Sequence, residues 1–135
     1  MSAELVRLIE EARRAEKEQA LFYRGLASEA EQRDDAELAA RFHDLHADEQ
    51  HHLSRLTARL IEMGEQPADL TGVRAEAVDT AGWEAVAHAR EDAEIRRYES
   101  LLAGSLDEHT RAIVAEVLEV ERHHARELGG KWTMA

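Results

Sequence analysis

The sequence has no cysteine, so the chain has no disulfide, no thiolate metal site and no four-cysteine iron centre of its own. Proline occurs once, at Pro67, and aromatic residues make up only 4%. With so few breakers and so few strand-favouring residues, a chain rich in Ala, Leu, Glu and Arg favours helix. Positive charge is also scarce: 17 Lys and Arg face 29 Asp and Glu, for a net charge of −12. That balance argues against nucleic acid or an anionic membrane as partner, since both need concentrated positive charge, and it suits the attraction of cations. No segment approaches the roughly 20 apolar residues of a membrane span. The opening "MSAELVRLIEE" is acidic and amphipathic and lacks the apolar run of a signal peptide, so a soluble cytoplasmic protein is the expectation. The 135 residues suit a single domain spanning 1–135.

Four segments carry apolar residues at three- and four-residue spacing, the period of an amphipathic helix, and none alternates as a strand would. The first is expected from Ser2, an N-cap, to Gln32. The second runs from the capping box Asp34-x-x-Glu37 to Met63, with Gly64 as its stop. The third begins near Asp79 or Thr80 and ends at Gly104. A second capping box, Ser105-x-x-Glu108, opens the fourth, which Gly129 and Gly130 terminate, leaving a short tail over 129–135. Tight turns join one to two and three to four, which makes two antiparallel hairpins. Between the hairpins, residues 64–79 ("GEQPADLTGVRAEAVD") hold the one proline, and at up to about 3.3 Å per residue they can travel the length of a bundle. The expected fold is therefore all-α, an up-down-down-up four-helix bundle with a long crossover between helices two and three.

Charged residues interrupt the apolar faces at defined places. Helix two carries the stripe Phe42, Leu45, Glu49, Leu53, Leu56, Leu60 and Met63, so Glu49 lies inside the apolar face, with His52 one turn on. Helix four repeats this with Val114, Val117, Leu118, Glu121, Ala125 and Leu128, and His124 beside Glu121. Helix one has Leu5, Ile9, Ala12, Glu16, Ala20, Tyr23, Ala27 and Ala30; helix three has Ala87, Glu91, Ile95, Tyr98 and Leu102. A single Glu-x-x-His is most often a solvated helix face. Here, however, Glu16 and Glu49 are equidistant from their turn, as Glu91 and Glu121 are from theirs, and in an antiparallel hairpin equidistant residues lie level. Each pair falls roughly 22–25 Å from its hairpin tip, and with the tips at opposite ends of a bundle about 45 Å long, all six side chains converge near its middle.

Four carboxylates in an apolar interior repel one another, and no Lys or Arg stands four residues from any of them. Two divalent ions would balance their charge, and an oxygen-rich set with two imidazoles suits iron or manganese rather than tetrahedral structural zinc.

Glu16, Glu49-Gln-His-His52, Glu91 and Glu121-Arg-His-His124 form the ligand set of ferritin-like di-iron carboxylate bundles. The chain resembles the rubrerythrin-like branch of that superfamily: "EKEQALFYRGLASEA" is similar to its first-helix pattern and "LHADEQHHLSRL" to its second, and the likeness covers nearly the whole sequence. The resemblance implies two iron ions, with manganese or a mixed Fe/Mn pair as variants. Glu16 and Glu91 would be terminal or switching ligands, Glu49 and Glu121 bridging ones, and His52 and His124 one nitrogen ligand per metal. On helix three it places a further ligand one turn from the first, for which Glu94 ranks ahead of His88. Full-length rubrerythrins carry a four-cysteine electron-delivering domain that this chain lacks, so an external electron donor is implied. Cage-forming ferritins are longer and usually have a fifth helix, so a 24-subunit shell is not expected; a homodimer is.

Other polar and aromatic residues have plainer explanations. His51 and His123 fall about 200° round the helix from their glutamates and should face solvent or a partner. His46 shares the inward face as a core histidine, whereas His43 and His109 belong to the surface. Tyr23 and Tyr98 suit core packing, or alternatively electron relay or the holding of ligand carboxylates. Trp83 and Trp132 suit anchoring or subunit contact. The expected function is a non-haem di-iron oxidoreductase acting on peroxide or dioxygen; the alternatives are a ferroxidase taking Fe(II) to feed an iron store and a non-catalytic metal-binding bundle.

Overall fold

A computed structural model describes residues 3–128. Within them the chain forms four helices and no strand: α1 (Ala3–Gln32), α2 (Ala36–Glu62), α3 (Trp83–Ala103) and α4 (Glu108–Leu128). No helix among the described residues is long and apolar enough to cross a membrane. Ser2, Gly129, Gly130 and Trp132, expected as cap, stop and anchor, lie outside the described residues. The chain divides into two compact units, with the boundary between Trp83 and Glu84.

The first unit is built on the α1–α2 hairpin. Every member of the α1 stripe is buried, from Leu5 to Ala30, and it faces Phe42, Leu45, Leu56 and Leu60 of α2. Burying each large aliphatic or aromatic side chain contributes about 1.5–3 kcal/mol, which is what holds two long helices together. Contacts pair Glu31 with His43 beside the turn, then Gln19 with Glu49, Glu16 with His52 and Arg13 with Thr57 farther out. Earlier residues of α1 thus meet later residues of α2, and the helices are antiparallel.

The turn between them divides its work between two aspartates. Asp34 sits in the left-handed region (φ 60°), and the N–H groups of Asp34 and Asp35 close back on the carbonyls of Glu31 (3.1 Å) and Ala30 (3.0 Å), satisfying the end of α1. Asp35 then caps α2, its carboxylate accepting from the Leu38 N–H at 3.2 Å. The box expected at Asp34 is therefore displaced by one residue, because Asp34 is committed to ending the previous helix. At the other end of α2 the expected stop is present: Gly64 has φ 85°, and the N–H of Glu65 reaches the Leu60 carbonyl at 2.9 Å.

The segment after α2 lies along α1. Glu10 accepts from the Ala68 N–H (2.9 Å) and Arg13 donates to the Ala68 carbonyl (3.3 Å), so one residue is gripped through both of its backbone groups. Farther on, Glu29 accepts from the Thr80 N–H at 3.1 Å, and Val73 is buried between these points. Trp83 closes the unit edge-to-face on Phe42, with ring centroids 4.7 Å apart. α3 starts at Trp83 rather than near Asp79, because the Asp79 carboxylate accepts from Ala81 (3.0 Å) and Gly82 (3.2 Å) in a separate turn that ends at glycine.

The second unit is the α3–α4 hairpin. Arg111 reaches the carbonyls of Leu102 and Gly104, Arg122 meets Glu99, and His124 meets Glu91, an outward progression that again means antiparallel helices. α4 is capped by Asp107 rather than by the expected Ser105. Asp107 accepts both the Thr110 N–H (3.0 Å) and the Thr110 hydroxyl (2.7 Å), while its own carbonyl takes the Arg111 N–H at 2.9 Å.

Candidate metal-binding site

Glu16 comes from α1, and Glu49 and His52 from one face of α2, one turn apart. The antiparallel pairing brings them together. His52 Nδ1 lies 3.2 Å from Glu49 Oε1 and 3.6 Å from Glu16 Oε1, with both carboxylates at 0% exposure and the imidazole at 3%. The second hairpin builds the same object. His124 Nδ1 lies 3.1 Å from Glu121 Oε1 and 3.5 Å from Glu91 Oε2, with the same burial. Within each triad the ligand-capable atoms lie within 4.8 Å of one another. In both, the nitrogen turned to the carboxylates is Nδ1.

These donors are chemically matched to a metal ion. Two carboxylates removed from water at such close range are strongly destabilising without a cation, and a hard oxygen pair with one imidazole suits a divalent first-row ion. The residues present therefore fit the kind of ion that the sequence implies.

Comparison of the chain with protein-family models, with curated proteins and with solved structures returned no match. The chemistry of the site thus rests on its own residues.

The remaining candidates separate by burial. Glu94 is buried one turn beyond Glu91, with Arg97 at 3.8 Å, whereas His88 is exposed. Tyr23 and Tyr98 are fully buried, each seven residues after the triad glutamate of its helix, and Tyr23 packs edge-on to Phe22 at 5.1 Å. His51, His123, His43 and His109 are exposed; His43 pairs with Glu31 at 3.0 Å and His123 with Glu127 at 3.5 Å. His46 is half-buried rather than a core residue. Burial, then the positive neighbours Arg24, His43 and Lys17, holds its imidazole below the ordinary histidine range. Trp83 is an internal anchor.

Two contributors were not evident in the sequence. Gln19, 1% exposed, donates from Nε2 to Glu49 Oε2 at 3.5 Å; its place one turn after Glu16 was the available signal. Arg13, 6% exposed and one turn before Glu16, donates to Thr57 Oγ1 (2.9 Å) and pairs with Glu10 (2.5 Å). It braces the layer beneath the first triad.

Proposed function

We propose that this protein is a two-metal carboxylate oxidoreductase that reduces peroxide or dioxygen with electrons from an external donor. The observation that carries the reading is the duplicated buried Glu–Glu–His triad, with one copy on each helical hairpin. Each triad supplies two oxygen donors and one nitrogen donor to one ion, so the chain holds two, iron by preference and manganese as the variant. When bound, two ferrous ions supply together the two electrons that cleave an O–O bond, without release of a one-electron radical.

The chain's own residues do the rest. Glu16 and Glu91 contribute a carboxylate from the helix opposite each Glu-x-x-His pair, and Glu49 and Glu121 present theirs one turn from the imidazole. The apolar residues around them keep bulk water away, which strengthens every charge interaction within. Tyr23 and Tyr98 are assigned to electron relay or to holding ligand carboxylates. Without cysteine the chain has no electron-delivering centre of that type, so the reducing equivalents come from outside. The fold that accompanies this reading is the up-down-down-up bundle of the ferritin-like class, in a homodimeric cytoplasmic protein.

The test is direct. Anaerobic Fe(II)-loaded protein is mixed with hydrogen peroxide and, separately, with oxygen, and iron oxidation is followed by absorbance. Rapid stoichiometric oxidation by peroxide, reversed by an added reductant, is expected. Oxidation by oxygen with ferric iron accumulating beyond two per chain would instead favour the ferroxidase. Inertness to both oxidants would reduce the protein to a metal-binding bundle. Exchange coupling between the two ions, read by magnetic spectroscopy, checks that they act jointly. Acidification should release the metal, because carboxylate and imidazole ligands bind in their deprotonated forms.

A further inference from the structure

We propose that the cavity between α1 and residues 75–78 binds a small organic ammonium ion, an amine whose apolar body is no larger than one ring, with Glu76 as the carboxylate that receives its charge. The site shares no residue with either triad and does not depend on the metal-binding reading.

The cavity lies wholly within the first unit and measures about 160 Å³. An apolar cavity of roughly that size takes one benzene ring. Phe22 and Leu26, both almost fully buried, line it from α1, and Val78 lines it from the segment that follows α2. One aromatic and two aliphatic side chains favour an apolar occupant, and the aromatic one favours a ring.

Gly25 lines the same space from the interior of α1. Glycine is a poor choice inside a helix, because it loses the most backbone freedom on folding. Neither usual reason for a glycine applies here. Its backbone is regular helix without a positive φ, and an added Cβ would meet nothing within 4 Å outside its own helix, so no neighbour demands a close approach. What the lack of a side chain does is leave the cavity open to solvent, Gly25 itself being exposed.

The sign of the ligand's charge follows from the two ionisable residues of the lining, Glu29 and Glu76. Oε1 of Glu29 accepts from the Thr80 N–H at 3.1 Å and stands 3.3 Å from Arg33, so this carboxylate holds the segment in place. Glu76 is exposed and, among the described residues, makes no hydrogen bond or ion pair. Arg74, two residues before it, is turned back on the carbonyls of Thr71 (3.0 Å) and Val73 (2.9 Å). A carboxylate beside an apolar cavity selects a cation over an anion. The apolar walls offer a bare metal ion no ligands, which leaves an organic ammonium.

Isothermal titration calorimetry of the full chain at low ionic strength, where an exposed charge is least screened, tests this with benzylamine, benzyl alcohol and benzoate. Benzylamine, an ammonium ion at neutral pH, should bind once per chain with a Kd in roughly the millimolar range or tighter, as suits so few atoms. Benzyl alcohol should bind about three- to fivefold more weakly, the worth of one exposed charge contact, and benzoate more weakly still. Glu76→Gln should bring the amine and the alcohol level. Gly25→Leu should abolish binding while thermal stability rises by a few degrees, since leucine is the better helix former; a merely structural glycine would not give both. If Gly25→Leu folds poorly, Glu76→Gln decides, because its side chain is exposed. Absence of binding by all three probes, equal affinity of wild type for amine and alcohol, or benzylamine binding that survives Gly25→Leu would each overturn the proposal.

Discussion

In the first hairpin the triad sits between helices of 30 and 27 residues, with the following segment pinned along α1 through Glu10, Arg13 and Glu29. In the second, both helices have 21 residues, and the turn is tied instead by Arg111 and Asp107. The triads nevertheless agree closely, at 3.2 and 3.6 Å in one and 3.1 and 3.5 Å in the other. Helix length, turn chemistry and the pinned segment are therefore not what shapes the site. Two conditions shared by both hairpins are: a Glu-x-x-His on one helix face, and a glutamate on the opposing helix as far from the turn as the first.

If that is correct, removing one ligand from either hairpin has the largest effect of any change considered. Glu49→Ala and Glu121→Ala should each lower the metal content from two ions per chain to one or none, read by elemental analysis of purified protein, with helicity retained. The two hairpins should respond alike. Full occupancy in both variants would show that the assigned carboxylates are not ligands.

Arg13→Met separates the hairpins. Its guanidinium is buried and serves Glu10, Thr57 and the Ala68 carbonyl together, and no residue of the second hairpin has this role in the contacts described. Removing one partner of a buried ion pair costs about 3–5 kcal/mol; because Glu10 retains 24% side-chain exposure, a loss of about 2–3 kcal/mol is expected. Urea denaturation gives the magnitude. Hydrogen exchange should quicken at the Ala68 amide and along the α1–α2 hairpin while α4 stays protected. Uniform loss of protection in both units would mean that Arg13 acts globally rather than as a local brace.

Much of this was legible in the sequence because charge inside an apolar stripe is a strong anomaly. Glu16, Glu49, Glu91 and Glu121 interrupt apolar faces at helical phase, and the distance of each from its turn was countable. The details that failed turn on choices between neighbours. Asp34 and Asp35 are equally good caps until the backbone assigns the left-handed position to one of them. Ser105 lost to Asp107 because Thr110 offers two donors to a carboxylate at that spacing. In α3 the buried face runs through Ala87, Glu91, Glu94, Tyr98 and Leu101, so Leu101 rather than Leu102 is fully covered and His88, about 100° past Ala87, is outside. Gln19 escaped notice because a neutral amide on an Ala-rich face carries no charge to flag it.

The caps sharpen the comparison at a smaller scale. Asp107→Ala removes two hydrogen bonds and Asp35→Ala removes one, so destabilisation of about 1–2 kcal/mol and about 1 kcal/mol respectively is expected. Thermal unfolding of the metal-free protein gives the order, and equal losses would show that the Thr110 hydroxyl contributes nothing.

The smallest expected effect concerns the residue one turn before the Glu-x-x-His glutamate, which is His46 in α2 and the buried Leu118 in α4. Burial, then Arg24, His43 and Lys17, lowers the His46 pKa from the ordinary 6.5. The unfolded chain therefore takes up a proton at this position more readily than the folded one. Stability is fully present above about 6.5 and falls as pH drops from there toward the lower folded value. His46→Leu gives the first hairpin the apolar residue of the second and should flatten this part of the pH profile. Because His46 is only half-buried, solvent screening keeps the effect small, and metal-free protein is needed so that ligand protonation does not mask it. A variant whose stability still declines as steeply below pH 6.5 would assign that decline to other groups.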